Sequence, residues 1–294
     1  MMNRVIVTGA AGQLGKDVVI ALRQNGFVTL ASERTDMDIT NIEQCMAVVQ
    51  HFNPDVIIHC AAYTAVDRAE SDIETAYAIN SAGTRNIAVA AERVRAKLVY
   101  ISTDYVFDGL SETAYHEYEC PLPLTIYGKT KRAGEILVQT LSSRYFIVRT
   151  SWVFGRYGDN FVKTMLRLGQ ERPKLHIVDD QRGSPTYTVD LAQFLIDLIS
   201  TEKYGVYHAS NSGYCTWFEF ASAIFAEASE LLNLPFSAEL VPIVTQELKR
   251  PAPRPRNSVM EHTFTKASGF QELRPWREGL RAFLSEINKP SEKS

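Results

Sequence analysis

Cysteine is scarce. Cys45, Cys60, Cys120 and Cys215 are the only four in 294 residues, and no Cys-x-x-Cys pair occurs. This excludes a disulfide framework and argues against a metal or redox centre. Four reduced thiols in a cytoplasmic protein are expected. Long apolar runs are also missing. The longest lies around Val56 to Ala62, far short of the roughly 20 residues that span a bilayer. The first apolar stretch is brief and turns into glycines followed by Lys16 and Asp17, unlike a secretory signal. Charge of one sign is absent too: 31 Lys and Arg face 34 Asp and Glu, a net −3. No basic excess exists for nucleic acid or anionic lipid, although a local pocket for one small anion remains compatible. No internal repeat or low-complexity segment interrupts the chain.

What is present is ordinary globular composition, 45% hydrophobic and 22% charged, at a length that predicts one large domain plus a smaller one. The first half alternates short β-rich runs with helical patterns. Strands are predicted at Val5-Ile6-Val7, Val28 to Ala31, Asp55 to Cys60, Leu98 to Ser102 and Tyr145 to Thr150. Helices are predicted over Gly15 to Asn25, stopped by Gly26, and over Tyr127 to Leu141. Capping boxes at Thr40-Asn41-Ile42-Glu43 and Ser71-Asp72-Ile73-Glu74 open two more, the second running past Arg93. This alternation predicts right-handed βαβ units, hence an α/β fold with a doubly wound, Rossmann-like parallel sheet. Residues 1–150 form the expected dinucleotide-binding domain with the catalytic residues. Residues 151–294 form a smaller α/β domain, mostly for substrate, with some chain crossing back. Helices are expected there at Phe161 to Glu171, Val189 to Ser200 and Trp217 to Leu232, the last behind a capping box at Thr216. Arg250 to Arg256, with three prolines and three arginines, reads as loop, and Pro290 to Ser294 as a polar tail.

Gly9-Ala10-Ala11-Gly12-Gln13-Leu14-Gly15 is G-x-x-G-x-x-G, set between the first strand and the first helix. Glycines there admit a pyrophosphate close to the backbone, and the helix N-terminus favours its charge. A second-strand end at Ser32 to Arg34 puts Glu33 and Arg34 by the adenosine ribose, which leaves NADH and NADPH both open. Asp38 is placed to meet the adenine edge or to make a turn. Tyr127 and Lys131 stand at i and i+4, on one helix face. A neighbouring ammonium is expected to lower the phenol's pKa and tune it for proton transfer at a carbinol oxygen. Thr103, at a strand's C-terminal end, is placed to hydrogen-bond a substrate carbonyl.

Together these residues resemble the extended short-chain dehydrogenase/reductase superfamily, and within it the dTDP-4-dehydrorhamnose reductase family. The resemblance rests on Ala61-Ala62-Tyr63-Thr64-Ala65-Val66-Asp67, Ala69-Glu70 and Asn80. It continues through Ser102 to Gly109, Tyr127 to Lys131, Arg149 to Gly155, Asn160-Phe161-Val162 and Asp180 to Thr186, so it covers nearly the whole chain. It implies reduction of a dTDP-linked 4-keto-6-deoxy sugar to dTDP-L-rhamnose with NADPH or NADH. By resemblance Thr103, Tyr127 and Lys131 are catalytic. Gly9, Gly12, Gln13, Leu14, Gly15, Asp38, Ile39, Ala62, Tyr63 and Thr64, with Tyr127 and Lys131, meet the cofactor. Thr103, Asp104, Trp152 and Asn160 meet the sugar nucleotide.

Arg254 and Arg256 suit a diphosphate by their forked donors, and the resemblance favours Arg254. Trp152 suits either a ligand stack or the core between domains. Tyr63 stands where the family often has His, in a segment that contacts cofactor mainly through backbone. Some members dimerise around Mg²⁺; where such a member carries Glu after the glycine loop, this chain has Asp17, so no metal ligand is assigned and a Mg²⁺ requirement stays open. The implied partners are the sugar nucleotide and at most a second copy, as monomer or homodimer, with no nucleic acid or membrane. Two other readings remain: a related nucleotide-sugar epimerase or dehydratase, and a non-catalytic NADP-binding subunit resembling the methionine adenosyltransferase β-subunit. Dehydratases place Glu after the Thr-Asp pair, where this chain has Tyr105.

Overall fold

The computed structural model describes residues 4–288; the expected tail at Pro290 to Ser294 lies outside them. In chain order the first half gives β1 (Arg4–Thr8), α1 (Gln13–Gln24), β2 (Val28–Ser32), α2 (Ile42–Phe52), β3 (Val56–His59), α3 (Ile73–Tyr77), α4 (Thr84–Arg93), β4 (Lys97–Thr103), α5 (Ile126–Leu141) and β5 (Tyr145–Thr150). The second gives α6 (Phe161–Glu171), β6 (Lys174–Val178), α7 (Thr188–Ile199), β7 (Gly205–His208), α8 (Trp217–Leu232), β8 (Glu239–Ile243) and α9 (Trp276–Asn288).

Six strands form one parallel sheet in the order β7-β5-β4-β3-β1-β2. Strand side chains alternate faces, and both faces here are apolar. Val5, Val7, Ile58, Val99 and Val148 pack under α1 and α7. Ile6, Ile57, Leu98, Tyr100 and Ile147 pack under α2, α4 and α5. A sheet buried on both sides explains why β3 is a continuous apolar run. The last layer of this core, α7 and β7, follows residue 150. A second core gathers Phe154, Val162, Leu175, Phe220, Ile224 and Phe283 around the parallel pair β6–β8.

The Thr216 capping box forms as expected, with Thr216 Oγ1 accepting from Glu219 N at 3.0 Å and Glu219 accepting from Thr216 N at 2.8 Å. The other two boxes do not. Asn41 caps α2, accepting from Glu43 N and Gln44 N at 3.0 and 3.1 Å, while the Thr40 hydroxyl donates to Asp38 Oδ1 at 2.8 Å. A two-residue reach to an Asx carboxylate competes with the cap. Asp72, not Ser71, precedes α3, and the Ser71 hydroxyl donates back to Arg68 O at 3.1 Å. The single helix expected from there past Arg93 is split by a wide π turn, Ala78–Gly83.

One buried ion pair ties this fold together. Glu135 of α5 accepts from Arg149 Nε at 2.8 Å, Arg149 Nη2 at 3.0 Å and Ser102 Oγ at 2.7 Å. The glutamate side chain is 0% exposed and the arginine 2%. Arg132 Nη1 also donates to Glu135 Oε2 at 2.9 Å, so Arg149→Met leaves the carboxylate one partner and is expected to cost about 3 kcal/mol, the lower end for breaking a buried pair, read from the urea midpoint. A loss under about 1 kcal/mol, the scale of an exposed pair, would contradict that placement.

Candidate active site

A cavity of about 1180 Å³ opens where the C-terminal ends of the parallel strands meet the second core. The glycine loop forms its floor. Gly9 has φ +64°, and a Cβ there would lie 2.7 Å from Ala61 N and Cα, so the loop can press on the chain after β3 only as glycine. A Cβ on Gly15 would strike Gly9 O. Gly12 precedes α1 with no side-chain cap and no acidic residue in the first turn. The N-terminal amides, with the positive end of the helix dipole, are left for an anion. Gly9, Gly12, Gln13, Leu14 and Gly15 all line the cavity, a cradle that fits a pyrophosphate.

Along one side lie Asp38, Ile39, Ala62 and Thr64. Asp38 makes the turn: Oδ1 accepts from Thr40 N at 2.9 Å, and these Thr40 hydrogen bonds hold its carboxyl below the usual range. Its other oxygen faces Arg34 at 3.6 Å. Tyr63 is not on the wall. Its hydroxyl donates to Asp72 at 3.0 Å, while its backbone N–H and carbonyl are clamped by the Asn80 side chain at 2.8 and 3.0 Å. Asn80 also donates to Thr130 at 3.0 Å. It projects from the π turn, a device common at functional sites, and no local pattern in the sequence signals that turn.

Thr103, Asp104, Tyr127 and Lys131 converge on the cavity. Thr103 Oγ1 donates to Asp104 Oδ1 at 2.9 Å. The second Asp104 oxygen is buried, and burial pushes this carboxyl up to about 6 against the opposing Ser258 and Thr103 hydroxyls. The Tyr127 ring meets Tyr105 edge-on, with centroids 5.6 Å apart. Lys131 Nζ donates to Ile101 O at 2.7 Å and lies 4.1 Å over the Tyr100 ring. The expected lowering of the phenol does not occur. Burial pushes Tyr127 up to about 12, with a Thr103 hydrogen bond opposing it. Burial also drives Lys131 down to about 7. Desolvation dominates both groups, and the ammonium is aimed at the Ile101 carbonyl.

The remaining expectations divide. Trp152 lines the cavity and stacks on Trp217 with centroids 3.5 Å apart, so it serves wall and core together. Its φ of +46° is rare for a bulky residue and costs about 1–3 kcal/mol. Trp217 and Phe161 line the same end and look in sequence like helix core. Asn160 is off the wall. It caps α6 by accepting from Lys163 N at 3.0 Å, and donates to Gln13 Oε1 and Gly155 O, both at 2.8 Å. Gln13 in turn donates to Val153 O at 3.1 Å. These two side chains join the halves. Arg254 lines the cavity and is paired with Asp67 at 2.7 Å, whereas Arg256 is exposed. His59 gives no sequence signal. It is buried between Thr8 Oγ1 at 2.7 Å and Thr84 Oγ1 at 3.2 Å. Asp17 is buried and pushed up to about 6 by that burial. Among the described residues no group of three or more His, Cys, Asp or Glu is placed to hold a metal ion.

The sequence matches the family described as RmlD substrate binding domain over residues 2–289. A dTDP-4-dehydrorhamnose reductase of Aggregatibacter actinomycetemcomitans is 42% identical, with 95% of this chain and 98% of that protein aligned. The chain belongs to the dTDP-4-dehydrorhamnose reductase family. Another member, a dTDP-4-dehydrorhamnose reductase of Bacillus anthracis solved in complex with NADP, superposes with a TM-score of 0.94 at 49% identity, covering 97% of this chain and 100% of that one. Spore coat polysaccharide biosynthesis protein SpsK of Bacillus subtilis is 41% identical over 97% of this chain and 98% of its own length. The six-stranded parallel sheet is of the Rossmann type found in these reductases.

The lysine makes a measurable signature. Its folded value near 7 lies below the ordinary lysine value of 10.5, so between these the unfolded chain binds the extra proton. Stability of the ligand-free protein therefore rises with pH across that window. Lys131→Met is expected to flatten the rise, measured as urea midpoints at several pH values; a slope equal to wild type would contradict the burial of the ammonium.

Proposed function

We propose that this chain reduces the 4-keto group of dTDP-4-dehydro-L-rhamnose to dTDP-L-rhamnose, with NADPH or NADH as reductant. The convergence of Thr103, Tyr127 and Lys131 beside the glycine cradle carries the reading. The names and bound NADP of its close relatives support it. In this reading residues 1–150 hold the cofactor and the catalytic trio, and residues 151–294 mostly shape the sugar-nucleotide side. The enzyme is cytoplasmic, monomer or homodimer, with no nucleic-acid partner. Among the described residues no helix is long and apolar enough to cross a membrane.

The cofactor, when bound, supplies the hydride to the carbonyl carbon. Gly9, Gly12 and Gly15 admit its pyrophosphate to the N-terminus of α1, while Asp38, Ile39, Ala62 and Thr64 flank it. Arg34 offers a guanidinium to a 2′-phosphate and Glu33 a carboxylate to a 2′-hydroxyl. On the substrate side, Tyr127 donates to the carbonyl oxygen, Thr103 joins it by turning its one hydroxyl proton away from Asp104 Oδ1, and the carboxylate so released accepts from a sugar hydroxyl. As charge grows on the carbonyl oxygen, Tyr127 hands over its proton. A phenol held near 12 stays protonated at neutral pH, the state that reduction requires. An alkoxide is a stronger base than a phenolate, so the transfer runs downhill. Lys131, held to Ile101 O in the ligand-free chain, takes up a proton more readily once phenolate charge develops one helical turn away.

Tyr105 is no proton-abstracting base of the dehydratase kind: its ring packs on Tyr127. A purely regulatory subunit has no need of an intact trio. The purified protein is expected to consume NADPH only when the dTDP-4-keto sugar is present, with dTDP-L-rhamnose as product. Tyr127→Phe is expected to bind NADPH normally by fluorescence titration yet lose about 10²- to 10⁴-fold in kcat. Undiminished turnover in that variant would remove Tyr127 from the mechanism.

A further inference from the structure

The segment from Arg250 to Asn257 is a strap from the second half onto the first. Pro251, Pro253 and Pro255 fix its φ angles. At its far end Pro255 rests on Gly109, where a Cβ would come 2.5 Å from Pro255 Cα, and Asn257 N donates to Gly109 O at 3.1 Å. Its middle hangs on one carboxylate. Asp67, in the turn Val66–Ala69 after β3, accepts from Ala252 N at 3.3 Å through Oδ1 and from Arg254 Nη2 at 2.7 Å through Oδ2. Arg250 reaches that second oxygen at 3.6 Å. The strap lines the cavity through Arg250, Ala252 and Arg254; Asp67 stands behind it.

Two guanidinium groups face this single carboxylate, so one positive charge is left over at the wall. Arg254 has five N–H donors. One goes to Asp67 and one to Ala252 O at 3.0 Å, and the others remain for a ligand. Its side chain is 15% exposed, so an anion meeting it exchanges little with water. Arg254 is also the cation that opposes the burial-raised pKa of the Tyr105 phenol, and the Tyr105 ring touches Tyr127. Arg254, Tyr105 and Tyr127 line the same cavity. That suits a diphosphate on the sugar whose carbonyl Tyr127 serves.

We propose that Asp67 is the positioning residue of the substrate's diphosphate subsite, holding the strap down and presenting Arg254 to the phosphates. This rests on the function proposed above. Losing a charge-assisted hydrogen bond to the ligand corresponds to about a 10- to 100-fold change. Asp67→Ala is expected to raise KM for the dTDP-4-keto sugar by that factor, with kcat nearly unchanged and NADPH Kd untouched. Asp67→Asn, which keeps an acceptor for Arg254, recovers part of the loss. The Asp67→Ala, Arg254→Ala double variant is no worse than Arg254→Ala alone. Calorimetry with dTDP reads the same subsite without turnover. A wild-type chain that binds dTDP but never consumes NADPH would overturn the function and leave the subsite standing. Unchanged KM and dTDP Kd in Asp67→Ala, additive losses in the double variant, or an equal loss of NADPH affinity would each overturn the role of Asp67.

Discussion

The Glu135–Arg149 pair is the contact on which the site's geometry depends. Tyr127, Lys131 and Glu135 recur every fourth residue and share one face of α5. Glu135 is bonded to Ser102 on β4 and to Arg149 on β5, and those two residues are direct register partners. The helix is thereby pinned over two strands at one point. Thr103, the next residue along β4, is carried to the same cavity as Tyr127. Arg149 also reaches toward His208 Nε2 at 3.4 Å, on the last strand of the sheet. An apolar contact could pack α5 equally well and still let it slide by a fraction of a turn; a bidentate pair could not.

The same dryness that makes this pair obligatory sets the chemistry above it. Burial raises Tyr127, Asp104 and Cys60 and lowers Lys131 and His59. The ligand-free site thus favours neutral forms.

Much of this was legible in the sequence, because it is written in local chemistry. Apolar runs such as Val56 to Ile58 mark strands covered on both faces, glycines mark the tight turn from β1 into α1, and Thr216 with Glu219 marks a helix start. What was illegible depends on depth and distance. The shift of Tyr127 is decided by burial, which spacing to Lys131 does not reveal. Asn160 and Gln13 lie 147 residues apart, and nothing local pairs them. β7 is only four residues long, too short for an alternation to register. Thr40 and Asn41 compete for one helix start, and the winner is set by the neighbouring Asp38.

The π turn at Ala78–Gly83 has an evolutionary consequence. It accommodates an extra residue in the helix, and each helical residue turns the chain by about 100°. Deleting one residue there would restore regular hydrogen bonding locally. It would also rotate Asn80 off the Tyr63 backbone, or else swing Thr84 and Ile87 out of their buried places. Descendants of this chain can exchange side chains along that helix far more readily than they can change its length.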